Sequence, residues 1–382
     1  MHVIEQNRIA HEEWLMQHLE ELEQQGIKVF KLSTTEREEF KRCRRKWDFA
    51  SLSRQGLEPR KPAQPLWFGH GIHHGLELYY REQKNPAEEF KAWAKKQFEL
   101  MESYPIKFPE AMERMKESVS LGAAMLDSYV AWATVQDAKD FAHVRHTEME
   151  FQVPVRDFEG KPLRFTDGGG QVWEIHLVGR LDLVVEDWDG KYWIMDHKTS
   201  ADKLNVEILL LNDQMTVYLW AAQQIFKVEF EGALYNVLRK KLPTVPRLIQ
   251  NGTRLSKDKS IDTTYEVYLA EIEKHGFDPE EYSDILQHLQ EKEQTFFQRE
   301  KVRRNQTELA TAGAMLRFEG VDMLNAPFIY PNATWDCRWD CDFVSVCKAM
   351  NRGDDWQYLI ETMYQKRDPG EGSAYNREST IE

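Results

Sequence analysis

Apolar residues recur along this chain with two periods, and the change from one to the other marks its architecture. From about Glu5 to Gly26 a stretch rich in Glu and Gln carries Ile9, Trp14, Leu15, Leu19 and Leu22 at helical spacing, which predicts an amphipathic N-terminal helix. In KLSTTEREEFKRCRRKWDFASL, Ser33, Thr34 or Thr35 can cap a helix whose Glu residues suit its first turn and whose Lys and Arg residues suit its last. Cys43 falls inside that helix or at its end. RQGLEPRKPAQP reads as a turn-rich connector. The helix predicted next, PLWFGHGIHHGLELYYREQ, has Ile72, Leu76 and Tyr79 or Tyr80 on its apolar side. The stretch from Pro86 to about Asp140 reads as an inserted helical cap, with Phe90, Trp93, Phe98, Met112, Met115, Val119, Ala123, Leu126 and Tyr129 as its buried positions.

Alternation of period two begins at Thr147 and runs to Val155, and DGGG at 167–170 marks a loop. Two strands follow between His176 and Ser200, joined by a tight turn at Asp187, Trp188, Asp189 and Gly190. Leu181, Leu183, Val184, Val185, Trp193, Ile194 and Met195 make them apolar on both faces, as central strands are. A helix from about Asn205 to Phe226 and a strand GALYNVL from Gly232 complete an α/β core rather than two unrelated domains. Residues 243–262 predict a polar loop, and 264 to about 325 predict charged helices. After Asp354 come an amphipathic turn or two and a polar tail, loose from Lys366 onward. The expected division is an N-terminal helical region at 1–65, a core at 66–240 with its insertion at 86–140, a helical region at 241–325 and a C-terminal segment and tail at 326–382.

With 41% hydrophobic and 30% charged residues, the chain is expected to fold, and no apolar run approaches the roughly 18 residues of a membrane span. The start, MHVIEQNRIAHEEW, lacks the apolar segment of a signal peptide, so a cytoplasmic protein is expected. A net charge of -14 argues against broad electrostatic adhesion to nucleic acid but leaves room for a local basic groove. Three basic clusters exist, at Lys41, Arg42, Arg44, Arg45 and Lys46, at Arg239, Lys240 and Lys241, and at Arg299, Lys301, Arg303 and Arg304. Each reads first as a solvated helix or loop face. Four cysteines are few for a disulfide scaffold, and in a reducing compartment they point to ligation.

The chemistry concentrates on the hairpin. Counting back from its turn brings Asp182 opposite or nearly opposite Asp196, while Asp196 and Lys198, two apart on a strand, share one face. Buried carboxylates side by side repel each other, and a divalent cation removes the difficulty. Oxygen ligands suit Mg²⁺ or Mn²⁺, which can activate a water for attack on a phosphodiester, with Lys198 orienting that water or stabilising the transition state. Upstream, His73 and Glu77 stand four apart on one side of a helix. Downstream, Gln214 and Tyr218 do the same.

GRLDLVVE, DHKTS and QMTVY resemble the three core motifs of the PD-(D/E)XK nuclease superfamily, in particular the branch of the RecB nuclease domain and the CRISPR adaptation exonucleases, and FGHGIHHGLELYY resembles that branch's first motif. The resemblance implies a restriction-endonuclease-like α/β fold, a central mixed β-sheet flanked by helices. It implies metal ligation by His73, Asp182, Asp196 and the backbone carbonyl of His197, with His74 the other candidate histidine. Lys198 would be the catalytic lysine, and Gln214 and Tyr218 match the branch's QxxxY helix. One cysteine upstream and three downstream, Cys43, Cys337, Cys341 and Cys347, match nucleases of this branch that carry a structural 4Fe-4S cluster. Cys337 and Cys341 have three residues between them where the family more often has two, which leaves zinc as the alternative. The function implied is a Mg²⁺- or Mn²⁺-dependent DNA exonuclease acting on ends or single strands, with partners in recombination, repair or phage replication. The rivals are a non-catalytic scaffold subunit of a repair complex and a zinc-stapled endonuclease.

Overall fold

The sheet is organised on one long strand. The structure, a computed structural model, describes residues 2–60, 64–103, 107–292 and 295–367. Its strands are β1 (Lys28–Leu32), β2 (Leu57–Pro59), β3 (His143–Pro154), β4 (Arg164–Thr166), β5 (Val172–Glu186), β6 (Tyr192–Ser200), β7 (Phe230–Arg239), β8 (Leu248–Ile249), β9 (Arg254–Leu255), β10 (Phe297–Arg303) and β11 (Tyr364–Lys366). The helices up to the end of the core are α1 (Val3–Gln24), α2 (Thr34–Arg42), α3 (Arg44–Ala50), α4 (Gln64–Glu82), α5 (Pro86–Ser103), α6 (Pro109–Asp140), α7 (Val206–Leu210) and α8 (Asp213–Phe226). Beyond it come α9 (Tyr265–Lys274), α10 (Ser283–Glu291), α11 (Gln306–Leu324), α12 (Cys337–Asp340), α13 (Val344–Arg352) and α14 (Trp356–Met363).

The main sheet runs in the order β1, β5, β6, β7, β10, with β3 and β4 along the other edge of β5. It is mixed: β1 lies parallel to the first half of β5 and β6 antiparallel to its last residues, while β6 and β7 are parallel. β3 pairs with β5 from His176 to Glu186, overlapping both neighbours, so β1 and β6 share the opposite edge. β1 stops at Leu177 and β6 starts at Leu183, which leaves residues 178–182 of that edge without a strand partner. The acid-bearing end of β5 lies in this gap.

Helices cover both faces. Trp193 and Met195 of β6, with Leu183 and Val185 of β5, pack against α4, α5 and α6, where Phe90, Trp93, Met115, Leu126 and Tyr129 are buried as the sequence predicts. Ile194 and Val184 pack on the other side with α8 and α11. Close approach of α5 to α4 depends on Gly75, since a Cβ there would stand 2.6 Å from the Pro86 carbonyl oxygen. The result is the restriction-endonuclease-like α/β fold, a mixed sheet flanked by helices.

Several local expectations need correction. The helix expected from Asn205 to Phe226 is two helices, because Asn205 caps α7 and Asn212 caps α8, its side chain accepting from Met215 N–H. The charged helical stretch before 325 contains β10, which pairs antiparallel with β7. Its charges hid it: Arg299 is buried against Asp137, Asp140 and Asn236, and Arg304 donates to the Leu209 and Leu210 carbonyls. Neither is a solvated face. β1 is an additional strand, Trp14 is exposed and stacks on His18, and Lys366 pairs with Leu57 at the end of β11. Residues 368–382, most of the expected tail, lie outside the described residues.

Candidate metal centre and the cysteine cavity

The pairing Leu183 with Met195 is the last of the β5–β6 ladder, so Asp182 and Asp196 stand at the next position, as counting from the turn predicts. There the strands part. His197 N–H donates to Asp182 Oδ2 at 2.7 Å, and the His197 carbonyl accepts from His73 Nε2 at 2.8 Å. His73 Nδ1 faces Asp182 Oδ2 at 3.4 Å, which brings a helix residue 109 positions upstream of Asp182 into the gap. His74, the other candidate, points instead to Glu77 at 3.9 Å, and Glu77 is also paired with Arg81.

Strand alternation turns the His197 ring the opposite way, stacked on Tyr80 with its Nδ1 accepting from Asn236. Burial, reinforced by the positive charge of neighbouring groups, lowers that imidazole to about 3, so it is neutral. Lys198 returns to the face of Asp196: its Nζ lies 3.0 Å from Asp196 Oδ2 and 3.1 Å from Gln214 Oε1 on α8. Tyr218, one turn further, meets Phe151 edge-on at 5.3 Å and places its hydroxyl 3.3 Å from Thr34 Oγ1. Gly179 lies beneath, because a Cβ there would come within 2.7 Å of Phe151 and 3.0 Å of Tyr218. Asp182, Asp196, Lys198, His73 and Gln214 thus meet around one opening, with Tyr218 packed behind it.

The electrostatics divide the acids. Burial opposes ionisation of Asp182, yet His73 and the His197 N–H hold its carboxyl well below the ordinary range. Burial pushes Asp196 up to about 6 against the pull of Lys198, with the charge of Asp182 adding to the rise. Burial also works against the Lys198 charge, but Asp196 outweighs it and keeps the ammonium above its usual range. Two unlike carboxyls and a charged lysine are the parts of a cation site. Asp196 Oδ2 is buried without a hydrogen bond of good geometry, and His73, Asp182 and Glu148 offer ligand atoms within 4.8 Å of one another. The hard oxygen and imidazole set fits Mg²⁺ or Mn²⁺.

Glu148 is the residue that sequence reasoning missed. It lies on β3 between the pairs Thr147–Leu183 and Met149–Leu181, hence opposite Asp182. The alternation of EMEFQVPV showed a strand but gave no register, since the connection from β3 to β5 has no fixed length rule.

The four cysteines gather elsewhere. Cys43 separates α2 from α3, Cys337 opens α12, Cys341 follows it and Cys347 lies in α13. All four are free thiols lining one cavity of about 170 Å³. N–H groups point at the sulfurs: Asn332 donates to Cys43, Thr334 to Cys337 and the Arg45 guanidinium to Cys347, each at 3.3 Å. The Thr334 N–H lowers the Cys337 thiol, whereas burial raises that of Cys341. Beside this cavity Phe49, Leu57, Phe343, Val346 and Tyr364 form a small core that joins α3 and β2 to the segment from α13 to β11.

The basic clusters are largely spoken for. Lys41 pairs with Asp213 and Glu319, and Arg239 and Lys241 pair with Asp262.

The gap in the mixed sheet thus gathers two acids, a lysine and a histidine. The sequence profile of the PD-(D/E)XK nuclease superfamily matches residues 31–348, and the chain belongs to that superfamily. Its members typically use divalent metals and act on nucleic acid. No curated protein matches the chain. Among solved structures, one titled "Crystal structure of SSO0001" is similar at 14% identity with a TM-score of 0.27, covering 68% of this chain and 95% of that one. Among the described residues, no helix is long and apolar enough to cross a membrane.

Proposed function

We propose that this protein is a Mg²⁺- or Mn²⁺-dependent deoxyribonuclease of the RecB-like branch, an exonuclease acting at DNA ends or on single strands and carrying a structural 4Fe-4S cluster. The observation that carries the activity is the convergence of His73, Asp182, Asp196 and Lys198 where β5 and β6 part. His73, Asp182, Asp196 and the His197 carbonyl hold the cation, which supplies the charge that activates a water and stabilises the phosphodiester under attack. Lys198, charged and held by Gln214, orients that water or meets the charge developing on phosphorus.

The exonuclease reading is supported by α5 and α6, which lie over the α4 side of the sheet and can restrict the cleft to a single strand. The cluster reading is supported by the cavity between Cys43, Cys337, Cys341 and Cys347 and by its N–H donors, which suit sulfur ligands carrying negative charge. Zinc at about 2.3 Å from each of four thiolates would draw the sulfurs to within about 4 Å of one another. Among the described residues the thiols form no trio as close as that of His73, Glu148 and Asp182.

The test is degradation of 5′- and 3′-labelled single- and double-stranded DNA, with closed circles as controls, by anaerobically prepared protein with Mg²⁺ or Mn²⁺. Cleavage of linear strands, lost in Lys198→Ala, is the expected result. Equal cleavage of circles would refute the exonuclease reading, and inactivity of both proteins on every DNA would favour a scaffold subunit. Absorbance near 400 nm, about where iron-sulfur clusters absorb, distinguishes the cluster from zinc.

A further inference from the structure

Glu148 has a backbone that its side chain does not favour. Its φ is +44° in the middle of β3, in the left-handed region where a residue with a Cβ is strained by about 1 kcal/mol or more. Such strain persists where surrounding structure holds it, and it clusters at functional sites. Both flanking residues pair with β5, so the twist is confined to Glu148, directly across from Asp182.

The twist delivers a carboxylate to the gap. Glu148 Oε2 is held by Arg180 Nη1 at 3.3 Å, and Oε1 is left facing His73 Nδ1 at 3.8 Å. The Glu148 and Asp182 side chains are 11% and 12% exposed, so water offers each little compensation. His73 faces them with its second nitrogen. His73 Nε2 is taken by the His197 carbonyl, and Nδ1 faces both carboxylates.

Two carboxylates and an imidazole nitrogen that converge within 4.8 Å in a gap with little water form a donor set suited to a divalent cation. The spacings of 3.4 Å and 3.8 Å from Nδ1 are too long for good hydrogen bonds. They fall between the roughly 3.0 Å of adjacent and 4.2 Å of opposite ligands around an octahedral cation with bonds of about 2.1 Å.

We infer that Glu148 is a ligand of the divalent cation, beside His73 and Asp182, and that the strained backbone is kept for this purpose. Arg180 is a positioning residue that fixes the Glu148 carboxylate. The inference rests on the divalent-cation nuclease reading, and it adds a ligand that none of the sequence motifs contains.

The test is titration of the full-length, EDTA-treated and desalted protein with Mn²⁺, reading free Mn²⁺ by its electron paramagnetic resonance signal. Wild type, Glu148→Gln, Glu148→Gly and Lys198→Ala are compared. Glu148→Gln is expected to weaken Mn²⁺ at least tenfold. Glu148→Gly accepts the left-handed backbone without strain and should melt no lower than wild type while losing the same affinity. Lys198→Ala should bind Mn²⁺ at least as tightly as wild type and fail to cleave DNA. Binding by either Glu148 variant within twofold of wild type overturns the inference and leaves the nuclease reading intact. Failure of wild type and Lys198→Ala to bind Mn²⁺ overturns both.

Discussion

His197 places its backbone N–H on Asp182 Oδ2 at 2.7 Å, so the residue between Asp196 and Lys198 holds the acid of the neighbouring strand. Past Leu183 and Met195 the ladder no longer joins β5 to β6, and this single bond takes its place. Asp182→Asn retains the shape but loses the charge that answers His73. DNA cleavage is expected to fall at least a hundredfold, with Mn²⁺ affinity down tenfold or more, measured by single-turnover kinetics and the same Mn²⁺ titration.

Lys198 is charged, and its two partners are Asp196 and Gln214. Lys198→Met should reduce the cleavage rate by about two to three orders of magnitude without weakening Mn²⁺. Gln214→Ala removes the positioning partner alone, so its loss should be smaller, about tenfold. Equal losses in the two variants would show that Lys198 serves only to hold α8.

Acid stability depends on a different part of the molecule. Glu174 is fully buried; burial raises its carboxyl, but His176, His18 and Arg164 bring it down to about 2. A carboxyl whose folded value lies below its unfolded one contributes stability that is complete above about pH 4.5 and is lost as pH falls toward 2. The contribution is on the order of 3 kcal/mol. Glu174→Gln should therefore flatten the loss of stability between pH 4.5 and 2, read by urea unfolding at each pH.

Arg299 is 1% exposed at its side chain and answers Asp137 at 2.9 Å and Asp140 at 3.4 Å. Replacing it with Met leaves buried acid without its cation. The expected cost is about 3–5 kcal/mol, seen as a lower urea midpoint, and Asp137→Asn in the same chain should recover part of it.

Cys43 stands apart in sequence from the other three thiols. Cys43→Ser should abolish absorbance near 400 nm in anaerobically purified protein and lower the melting temperature by several degrees, since it releases the link between the α2–α3 junction and the C-terminal segment. Wild-type absorbance and melting would show that the thiols hold nothing in common.

What the sequence made legible was local. The hairpin register placed Asp182 beside Asp196 because a turn of known length fixes a count, and Gln214 was readable because four residues along a helix share a face. Glu148 was not readable, because its position depends on β3 pairing with β5 across a loop of free length. β10 escaped because the charge of Arg299 is cancelled by acids from α6, far away in sequence. Patterns report the neighbour along the chain, and both misses depend on neighbours across space.

α2 connects the two centres. It begins at Thr34, whose hydroxyl lies 3.3 Å from that of Tyr218, and ends beside Cys43 after nine residues, a rod of about 13 Å. Arg37, halfway along, pins it to Asp213 at the start of α8. Cys43 therefore sits at one end of a helix whose other end contacts the helix that carries Gln214. Displacement of Cys43 is therefore expected to reach the helix that carries Gln214, so protein exposed to air should lose DNA cleavage at temperatures below its melting point, read by activity and melting of the same sample.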